Sequence, residues 1–229
     1  MQHLAIIPDG NRRWALKNKL QTFLGHKAGL EAIRASIKFS IKNNIKHLSF
    51  YIFSLENFTR EEQEKRYLFE ELFSKQLTKE LPSLIKENIR VRFIGDRSIF
   101  PEVVNITVKN AEEATKDCTQ LNLNLLFCYG GQQEIVHATK KLAQQVKDGT
   151  LNISEITTDL FAKSLWTADI PAPDLIIRTS GLTRISNFLL YQAAYSEFLF
   201  LEELWPDVTE DILKKCLEKF TTIQRNFGK

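Results

Sequence analysis

Six short apolar runs alternate with longer amphipathic stretches along this chain, and that alternation limits the folds open to it. The runs cover residues 3–8, 47–53, 90–94, 121–127, 174–178 and 198–200. The amphipathic stretches, predicted as helices, cover residues 12–20, 29–43, 60–87, 101–116, 132–148, 156–166, 187–195 and 209–227. Strands that alternate with helices in this way predict an α/β fold built around parallel pairing.

The chain contains no Gly/Ser-rich linker, internal repeat or low-complexity tract, and its 9 Gly and 6 Pro are scattered. A length of 229 residues allows one large domain or two small ones. The even spread of turn residues favours a single domain over residues 1–229. A hydrophobic content of 43% with 26% charged residues is typical of a globular protein in water.

The net charge and the cysteine content indicate which classes of partner the protein can bind and in which cellular compartment it occurs. The 31 basic residues are nearly balanced by 28 acidic ones, and the net charge of +3 gives no support for nucleic-acid binding. Three widely spaced cysteines form neither a zinc pattern nor a disulfide framework, which favours a reducing compartment. No signal peptide is visible and no apolar run approaches the roughly 18 residues of a membrane span. We expect a cytoplasmic protein, and peripheral contact with a membrane surface stays open.

Polar, glycine-containing or charged clusters follow five of the predicted strands. They occupy residues 9–13, 54–60, 95–97, 129–131 and 178–181. Ligands of open parallel α/β sheets bind at the carboxyl ends of the strands. We therefore expect these clusters to converge on one rim of the sheet and to form a site there.

The first cluster, from Asp9 to Arg13, lies where a buried strand turns into a helix. Gly10 allows close approach of a ligand to the backbone, and Arg12 and Arg13 suit phosphate oxygens. Asp9 would repel a bare diphosphate, so its presence implies a bridging hard cation, most simply Mg²⁺. Taken alone, a helix-capping Asp beside two solvated arginines is the commoner interpretation.

The cluster after the fifth predicted strand carries enough cationic and hydroxyl side chains to bind a phosphate group. Arg178 and Arg184, with hydroxyls at residues 179, 180 and 186, could hold a second diphosphate, or could form a surface loop with ordinary ion pairs. Glu197 is the natural partner carboxylate to Asp9 for a metal, although a solvated glutamate is common at such a position.

The cluster after the second strand holds Ser54, Glu56, Asn57 and Arg60. Asn57 has no useful pKa, so it can orient a substrate or water or relay a proton but cannot act alone as a base. Phe58 next to it is either site surface or core. The 16 Phe residues equally supply an apolar tunnel or an ordinary core. His26 is predicted in the loop before the second helix, where a capping or surface role is the usual one.

Together these segments resemble the cis-prenyltransferase family, most closely its bacterial undecaprenyl diphosphate synthases. The matching stretches are residues 3–15, 25–26, 53–60, 95–96, 129–131, 174–181, 184–190, 194–197 and 205–206. They occur in family order and span nearly the whole chain. The resemblance implies one α/β domain with a central six-stranded, mostly parallel sheet flanked by helices, a hydrophobic tunnel for the growing chain, and a homodimer.

The resemblance also implies a reaction and a set of site residues. The implied reaction adds isopentenyl diphosphate units to an allylic diphosphate with cis geometry and with Mg²⁺ as cofactor. Farnesyl diphosphate is the expected primer and undecaprenyl diphosphate the expected product. It assigns catalysis to Asp9 and Asn57 and the metal to Asp9 and Glu197. The residues expected to bind or line the substrates are Gly10, Asn11, Arg12, Arg13, Trp14, His26, Ser54, Leu55, Glu56, Phe58, Arg60, Arg178, Arg184, Ile185 and Ser186.

Several positions depart from the family pattern, and rival functions remain open. The departures include Thr22, Gln132, Leu182, Thr183 and Asn226, whose effects on affinity and rate are open. One rival is a non-catalytic subunit of a heteromeric prenyltransferase, which would be expected to lack the polar residues at 9 and 54–57. Another is a phosphohydrolase with Asp9 as nucleophile, which would want a second acid where Asn11 stands. Product length and the preferred primer are also left open by the sequence.

Overall fold

All six predicted strands are present in the structure, a computed structural model that describes residues 1–59 and 61–224. The strands are β1 His3–Ile7, β2 His47–Ser54, β3 Ile89–Ile94, β4 Leu121–Tyr129, β5 Leu175–Arg178 and β6 Glu197–Phe200. Their ends lie within two residues of the predicted ones. Strands β1 and β5 are wholly buried and β4 nearly so, which is why the sequence pattern locates them so well, whereas β6 at the edge of the sheet is only partly buried.

The strands form one sheet in the order β3-β4-β2-β1-β5-β6, and every pairing is parallel. The prediction of a mostly parallel six-stranded sheet is confirmed. The chain leaves β1 toward β2 on one side, whereas β5 lies on the other side of β1 and leads to β6. Neighbouring strands whose connections diverge in this way create a crevice at their carboxyl ends, and here it opens between β1 and β5.

Helices cover both faces of the sheet. The α-helices are α1 Asn11–Lys17, α2 Thr22–Lys42, α3 Glu62–Arg66, α4 Gln76–Lys86, α5 Glu102–Thr115, α6 Gly131–Lys147, α7 Thr158–Ala162 and α8 Glu210–Thr222. A π-helical segment, Tyr67–Lys75, joins α3 to α4, so the predicted helical stretch 60–87 is nearly continuous over its described part. Short 3₁₀ turns occur at Leu55–Thr59, Arg97–Ile99, Ile153–Glu155, Gln192–Tyr195 and Trp205–Asp207.

Three helix predictions need correction. Helix α2 begins at Thr22, so His26 lies within it and not in a preceding loop. The stretch 187–195 is not a helix: only Gln192–Tyr195 forms a 3₁₀ turn. Asn187 and Leu189 have φ values of 64° and 45°, which lie in the left-handed region and exclude a right-handed helix there. The stretch 156–166 contracts to α7 of five residues.

Successive strand residues face opposite layers and divide the core in two. Phe50 and Phe127 belong to the larger cluster, which includes residues of α2, α4, α5 and α8. Tyr51 and Leu126, their chain neighbours, belong to a smaller cluster on the other face with Phe188. In the described part of the chain, no helix has the length and apolarity needed to cross a membrane. The three cysteines, Cys118, Cys128 and Cys216, are free thiols.

Candidate active site

Asp9 and Arg178 meet in the crevice between β1 and β5. Arg178 is the last residue of β5 and Asp9 follows β1 by two residues, and the parallel register sets Ile7 beside Arg178. Arg178 Nη2 donates to Asp9 Oδ2 at 2.7 Å. The Arg178 side chain is only 5% exposed, whereas that of Asp9 is 30% exposed. The carboxylate is therefore both held by a buried cation and open to a ligand.

The backbone of Asp9 is fixed by the neighbouring strand. The buried Thr179 hydroxyl accepts the Asp9 N–H at 2.9 Å and donates to the Asp9 carbonyl oxygen at 2.6 Å. Trp205 N–H donates to the same carbonyl at 3.0 Å. The next residue, Gly10, has φ +106°, and a Cβ there would approach Leu204 Cδ2 to 2.9 Å, so a side chain is excluded by both conformation and space.

Arg178 also shapes the loop that follows β5. Its Nη1 donates to Ser186 Oγ at 2.7 Å and to the Arg184 carbonyl oxygen. Arg13 reaches the same region, where its Nη1 donates to the Ser180 carbonyl at 3.0 Å and its Nη2 lies 3.6 Å from Asp9 Oδ1. One buried guanidinium thus ties the Asp9 loop to the loop carrying Arg184, and a cationic mouth results.

The turn after β2 joins this mouth through Asn187. Asn187 Nδ2 donates to Glu56 Oε1 at 2.8 Å and to Gln133 Oε1 at 3.0 Å. Its Oδ1 accepts the Gln132 N–H at 2.8 Å. Burial alone would raise the pKa of Glu56, but hydrogen bonds from its own backbone N–H and from the Asn187 and Ser54 side chains hold it below the ordinary value. Glu56 is therefore a fixed anion beside the mouth.

A single cavity of about 960 Å³ extends from this mouth into the larger core layer. Its mouth carries Asp9, Arg12, Arg13, Arg178, Arg184 and Ser186. Its interior is lined largely by apolar side chains from α2, from the helical stretch 67–86 and from β4, including Ile33, Ile37, Leu68, Phe73, Leu77 and Leu125. A charged entrance that leads to an apolar interior suits a ligand with an anionic head and a hydrocarbon tail.

Most of the predicted site residues line this one cavity. They are Asp9, Gly10, Asn11, Arg12, Arg13, His26, Ser54, Glu56, Asn57, Arg178, Arg184 and Ser186. Trp14 does not, since its Nε1 donates to Asp207 Oδ1 at 2.7 Å and anchors α1 to the 3₁₀ turn at Trp205–Asp207. Leu55 and Phe58 pack against the core, and Ile185 is also outside the lining. Arg60 lies outside the described residues.

The structure does not bring Glu197 to Asp9 within one chain. Glu197 opens β6 and is in register with Leu175 and, through it, with Leu4. It therefore lies near the amino ends of the strands, about 16 Å along the strand direction from Asp9 at a rise of roughly 3.3 Å per residue. A metal site shared by these two carboxylates is thus wrong for a single chain, because parallel pairing sets them at opposite rims.

Of the five expected clusters, those after β1, β2 and β5 line the cavity. The cluster after β4 contributes support, since Gly131 N–H donates to the Asn187 carbonyl at 2.7 Å. The cluster after β3 is remote: Asp96 caps the short turn Arg97–Ile99 by accepting the Ser98 N–H at 3.0 Å. Strand β3 lies at the edge of the sheet, which separates its carboxyl end from the crevice.

Sequence reasoning did not assign roles to several residues that the cavity uses. Arg34, Gln76 and Glu80 line its wall, and Trp205 donates its Nε1 to the Gly29 carbonyl at 2.9 Å beside it. Asn187, predicted in a helix, instead links the loop after β5 to the turn after β2 and to the first turn of α6. The signal for the wall residues was available in the helical spacing, because Gln76 and Glu80 fall on one helical face with Leu77 and Leu84.

Comparison with known proteins bears directly on this geometry. Residues 7–228 match the model of a family described as "Putative undecaprenyl diphosphate synthase". The chain belongs to this prenyltransferase family. A family member from Photorhabdus laumondii, named ditrans,polycis-undecaprenyl-diphosphate synthase ((2E,6E)-farnesyl-diphosphate specific), is 44% identical over 99% of this chain and 89% of its own length. An isoprenyl transferase of Bacillus subtilis is 42% identical over 99% of this chain and 87% of its own.

Solved structures of family members share the fold throughout. Lavandulyl diphosphate synthase from Lavandula x intermedia, in complex with dimethylallyl diphosphate, superposes with a TM-score of 0.96 and 32% identity, covering 100% of this chain and 98% of that one. A probable undecaprenyl diphosphate synthase from Campylobacter jejuni gives a TM-score of 0.83 and 30% identity, covering 100% and 99%. The single α/β domain expected from the sequence is confirmed.

Proposed function

We propose that this protein condenses isopentenyl diphosphate units onto an allylic diphosphate with cis geometry, and that farnesyl diphosphate and undecaprenyl diphosphate are its primer and product. The observation that carries the proposal is the single cavity with a cationic mouth and an apolar interior. Such a cavity can hold both diphosphates at its entrance and the growing hydrocarbon inside. The relatives named for this reaction cover nearly the whole chain, which supports the same assignment.

Two diphosphate positions follow from the distribution of cations at the mouth. Asn11, Arg12 and Arg13 of α1 and His26 of α2 line the mouth on neighbouring helices. This part of the mouth is proposed to hold the allylic diphosphate, whose tail would enter the cavity. Arg178, Arg184 and Ser186 are joined by hydrogen bonds and are proposed to hold isopentenyl diphosphate.

The residues at the mouth fit a magnesium ion that arrives with substrate. No group of three or more His, Cys, Asp or Glu side chains placed to hold a metal occurs among the described residues. Mg²⁺ in phosphate-transfer sites typically takes one or two carboxylates, and substrate phosphates and waters complete its shell. Asp9, partly open at the mouth, would supply that carboxylate. The ion would neutralise charge that develops on the departing diphosphate.

The reaction is an electrophilic alkylation in which the chain positions charges and excludes water. The allylic carbon–oxygen bond breaks and its electron pair leaves with the diphosphate. The isopentenyl double bond supplies the pair for the new carbon–carbon bond, and loss of a proton forms the new cis double bond. The arginines stabilise the leaving charge, and binding both substrates in one mouth fixes the reacting geometry. Asn57, which lines the mouth, is proposed to orient the group that accepts the proton.

A second candidate is the same reaction with a different primer and product length. The similarity to lavandulyl diphosphate synthase, crystallised with dimethylallyl diphosphate, favours testing a shorter primer. A non-catalytic subunit is disfavoured because Asp9, Glu56 and Asn57 all line the cavity.

A homodimer and a peripheral membrane contact at product release are part of the proposal. Strand β6 is an edge strand, and its Phe200 is 39% exposed in the single chain. A second copy of the chain packed against this edge would cover it, which supports the homodimer. Glu197 lies in register with Leu4, away from Asp9 in its own chain, so a catalytic role for it is proposed only together with the homodimer. Sedimentation of the purified protein tests the dimer, and vesicle flotation tests the membrane contact that a cytoplasmic enzyme with a lipid product needs.

The test of function is a direct assay. Purified protein is incubated with farnesyl or dimethylallyl diphosphate, labelled isopentenyl diphosphate and Mg²⁺, with and without EDTA, and extracted products are separated by chain length. A metal-dependent ladder ending near eleven isoprene units supports the undecaprenyl assignment, and a different endpoint corrects the product only. Absence of incorporation with either primer contradicts the proposed reaction.

A further inference from the structure

The wall of the cavity contains a charged cluster that the reaction at the mouth does not use. Helix α2 and the helical stretch 67–86 start together near the mouth, where the rings of Phe23 and Tyr67 lie 4.7 Å apart between centroids. Farther along the same direction Arg34 of α2 forms an ion pair with Glu80 of α4. The two helices therefore run side by side, with the cavity beneath them.

The pair lies well inside the cavity and not at its entrance. Arg34 is two turns beyond His26 on α2, about 12 Å along the helix axis at 1.5 Å per residue. Ile37 and Leu84 line the cavity beyond the pair, so apolar space continues past it. A growing hydrocarbon that enters at the mouth must pass this level as it lengthens.

The pair is on the outer wall of the cavity. The opposite wall is the sheet, which contributes Leu123, Leu125 and Phe127 of β4. Arg34 and Glu80 both line the cavity, and their side chains are 36% and 29% exposed. Among the ion pairs of the described residues, this is the one that joins α2 to α4, and it spans the gap between those helices.

Neighbouring side chains hold the pair in place. Gln76 Nε2 donates to Glu80 Oε1 at 2.7 Å, and Glu31 accepts from the second terminal nitrogen of Arg34. The hydrogen bond from Arg34 lowers the pKa of Glu80 below its ordinary value, and that from Glu80 raises the pKa of Arg34. Both shifts favour the charged forms of the two groups.

We propose that the Arg34–Glu80 pair is a side closure of the cavity that limits product length. It prevents the growing chain from leaving between α2 and α4, so elongation stops when the closed space is filled. The inference deepens the proposed function, since it assumes that the cavity holds the growing polyprenyl chain.

The physical reason is that a hydrocarbon chain cannot replace the hydrogen bonds and the solvation of the two charged side chains. To pass between the helices, a polyprenyl chain must separate Arg34 from Glu80 or cover both charges with apolar surface. Either outcome removes solvation or hydrogen bonds from two ionised groups, and the hydrocarbon offers no compensating partner. Chain units that reach this level are therefore directed toward the sheet and the far end.

The experiment compares product ladders of the full chain and of two double variants. Arg34→Ala/Glu80→Ala removes both the charges and the bulk that span the gap, and alanine preserves the two helices. The matched control is Glu71→Ala/Lys75→Ala, an ion pair on the same helical stretch that lies outside the cavity lining. Each is assayed with farnesyl diphosphate and labelled isopentenyl diphosphate, and thermal unfolding is recorded to compare stability.

The expected result is a shift of the dominant product toward longer chains in Arg34→Ala/Glu80→Ala alone. Arg34→Lys, which keeps the charge, should leave the ladder as in the parent protein. If the double variant does not fold, Glu80→Gln keeps the side-chain shape and removes the ion pair, and longer chains are again expected. An unchanged or shortened ladder in the folded variant overturns the inference.

The first condensation separates this inference from the proposed function. The rate of addition of one isopentenyl unit is measured at short times in parent and variants. If the parent adds no unit, the proposed function fails. If the parent and the Arg34→Ala/Glu80→Ala variant both add units and stop at the same length, only the role of the pair fails.

Discussion

Replacing Thr179 with Val should separate the positioning of Asp9 from general stability. The change keeps the branched shape and removes a hydroxyl that makes two hydrogen bonds to the Asp9 backbone, at 2.9 and 2.6 Å. Thr179 is fully buried, so water cannot replace the hydroxyl. Loss of buried hydrogen bonds of this kind costs about 1–3 kcal/mol of unfolding free energy.

The chain offers a closely matched control in Thr115. This residue is also fully buried, and its hydroxyl accepts the Val91 N–H at 3.0 Å and donates to the Ala111 carbonyl at 2.8 Å. Thr115→Val should therefore lower stability by a similar amount, about 1–3 kcal/mol. It lies at the end of α5, outside the lining of the cavity.

Activity should distinguish the two variants. Movement of the Asp9 carboxylate by a fraction of an ångström to 1 Å lowers turnover by about ten- to a hundred-fold, since the reacting geometry depends on it. We expect Thr179→Val to lose kcat to this extent and Thr115→Val to keep it. The assay is steady-state kinetics for both variants. It is run at a temperature at which urea-unfolding curves show that both proteins are folded. Equal kcat in the two variants, within about two-fold, would refute the positioning argument.

Three further predictions concern the mouth and the core. Asp9→Ala should leave less than about a tenth of the parent rate, a loss above roughly 1.4 kcal/mol, in a single-turnover assay; a larger residual rate contradicts its metal role. Asn187→Ala removes the hydrogen-bond donor to Glu56 and should raise KM for isopentenyl diphosphate more than it lowers kcat. An unchanged KM would show that the loop after β5 keeps its conformation without this hydrogen bond. Burial lowers the pKa of His3 to about 4 from 6.5, so the unfolded state binds its proton first as pH falls. The free energy of unfolding should therefore fall by roughly 3 kcal/mol between pH 6.5 and pH 4. Denaturant titrations at several pH values measure this fall, and it should be smaller in His3→Gln.

The strands were predictable because their sequence is nearly continuous apolar surface. Residues 3–7 are all buried in β1, and residues 4–7 form an unbroken apolar run after the buried His3. The position of Asp9 and Arg178 at one rim also followed from the sequence, since both directly follow or end such runs. Parallel pairing then makes their meeting a consequence of topology.

The interpretation failed where local backbone conformation or register decides. The stretch 187–195 has helix-like spacing, yet positive φ at Asn187 is supported by hydrogen bonds to α6 and Glu56, which no local pattern reveals. Glu197 was assigned to the metal because it follows a family motif, and only the pairing of β6 with β5 shows which rim it occupies. Arg34 and Glu80 received no role from the sequence, because their meeting depends on how two helices distant in sequence pack together.

The central position of β1 has a consequence for how the protein acquires activity during synthesis. Asp9 and Arg178 are 169 residues apart in sequence, yet they share an ion pair, and β1 pairs with β5 as well as with β2. Of the six strands described, β1 is synthesised first, and most of the chain must follow before its second edge is covered. Such long-range pairing forms slowly, because the entropy cost of closing the long loop comes before the stabilising contacts are made. A nascent chain that ends between β4 and β5 holds β1, β2, β3 and β4 but lacks Arg178 and Arg184, so it carries only the Arg12 and Arg13 part of the cationic mouth.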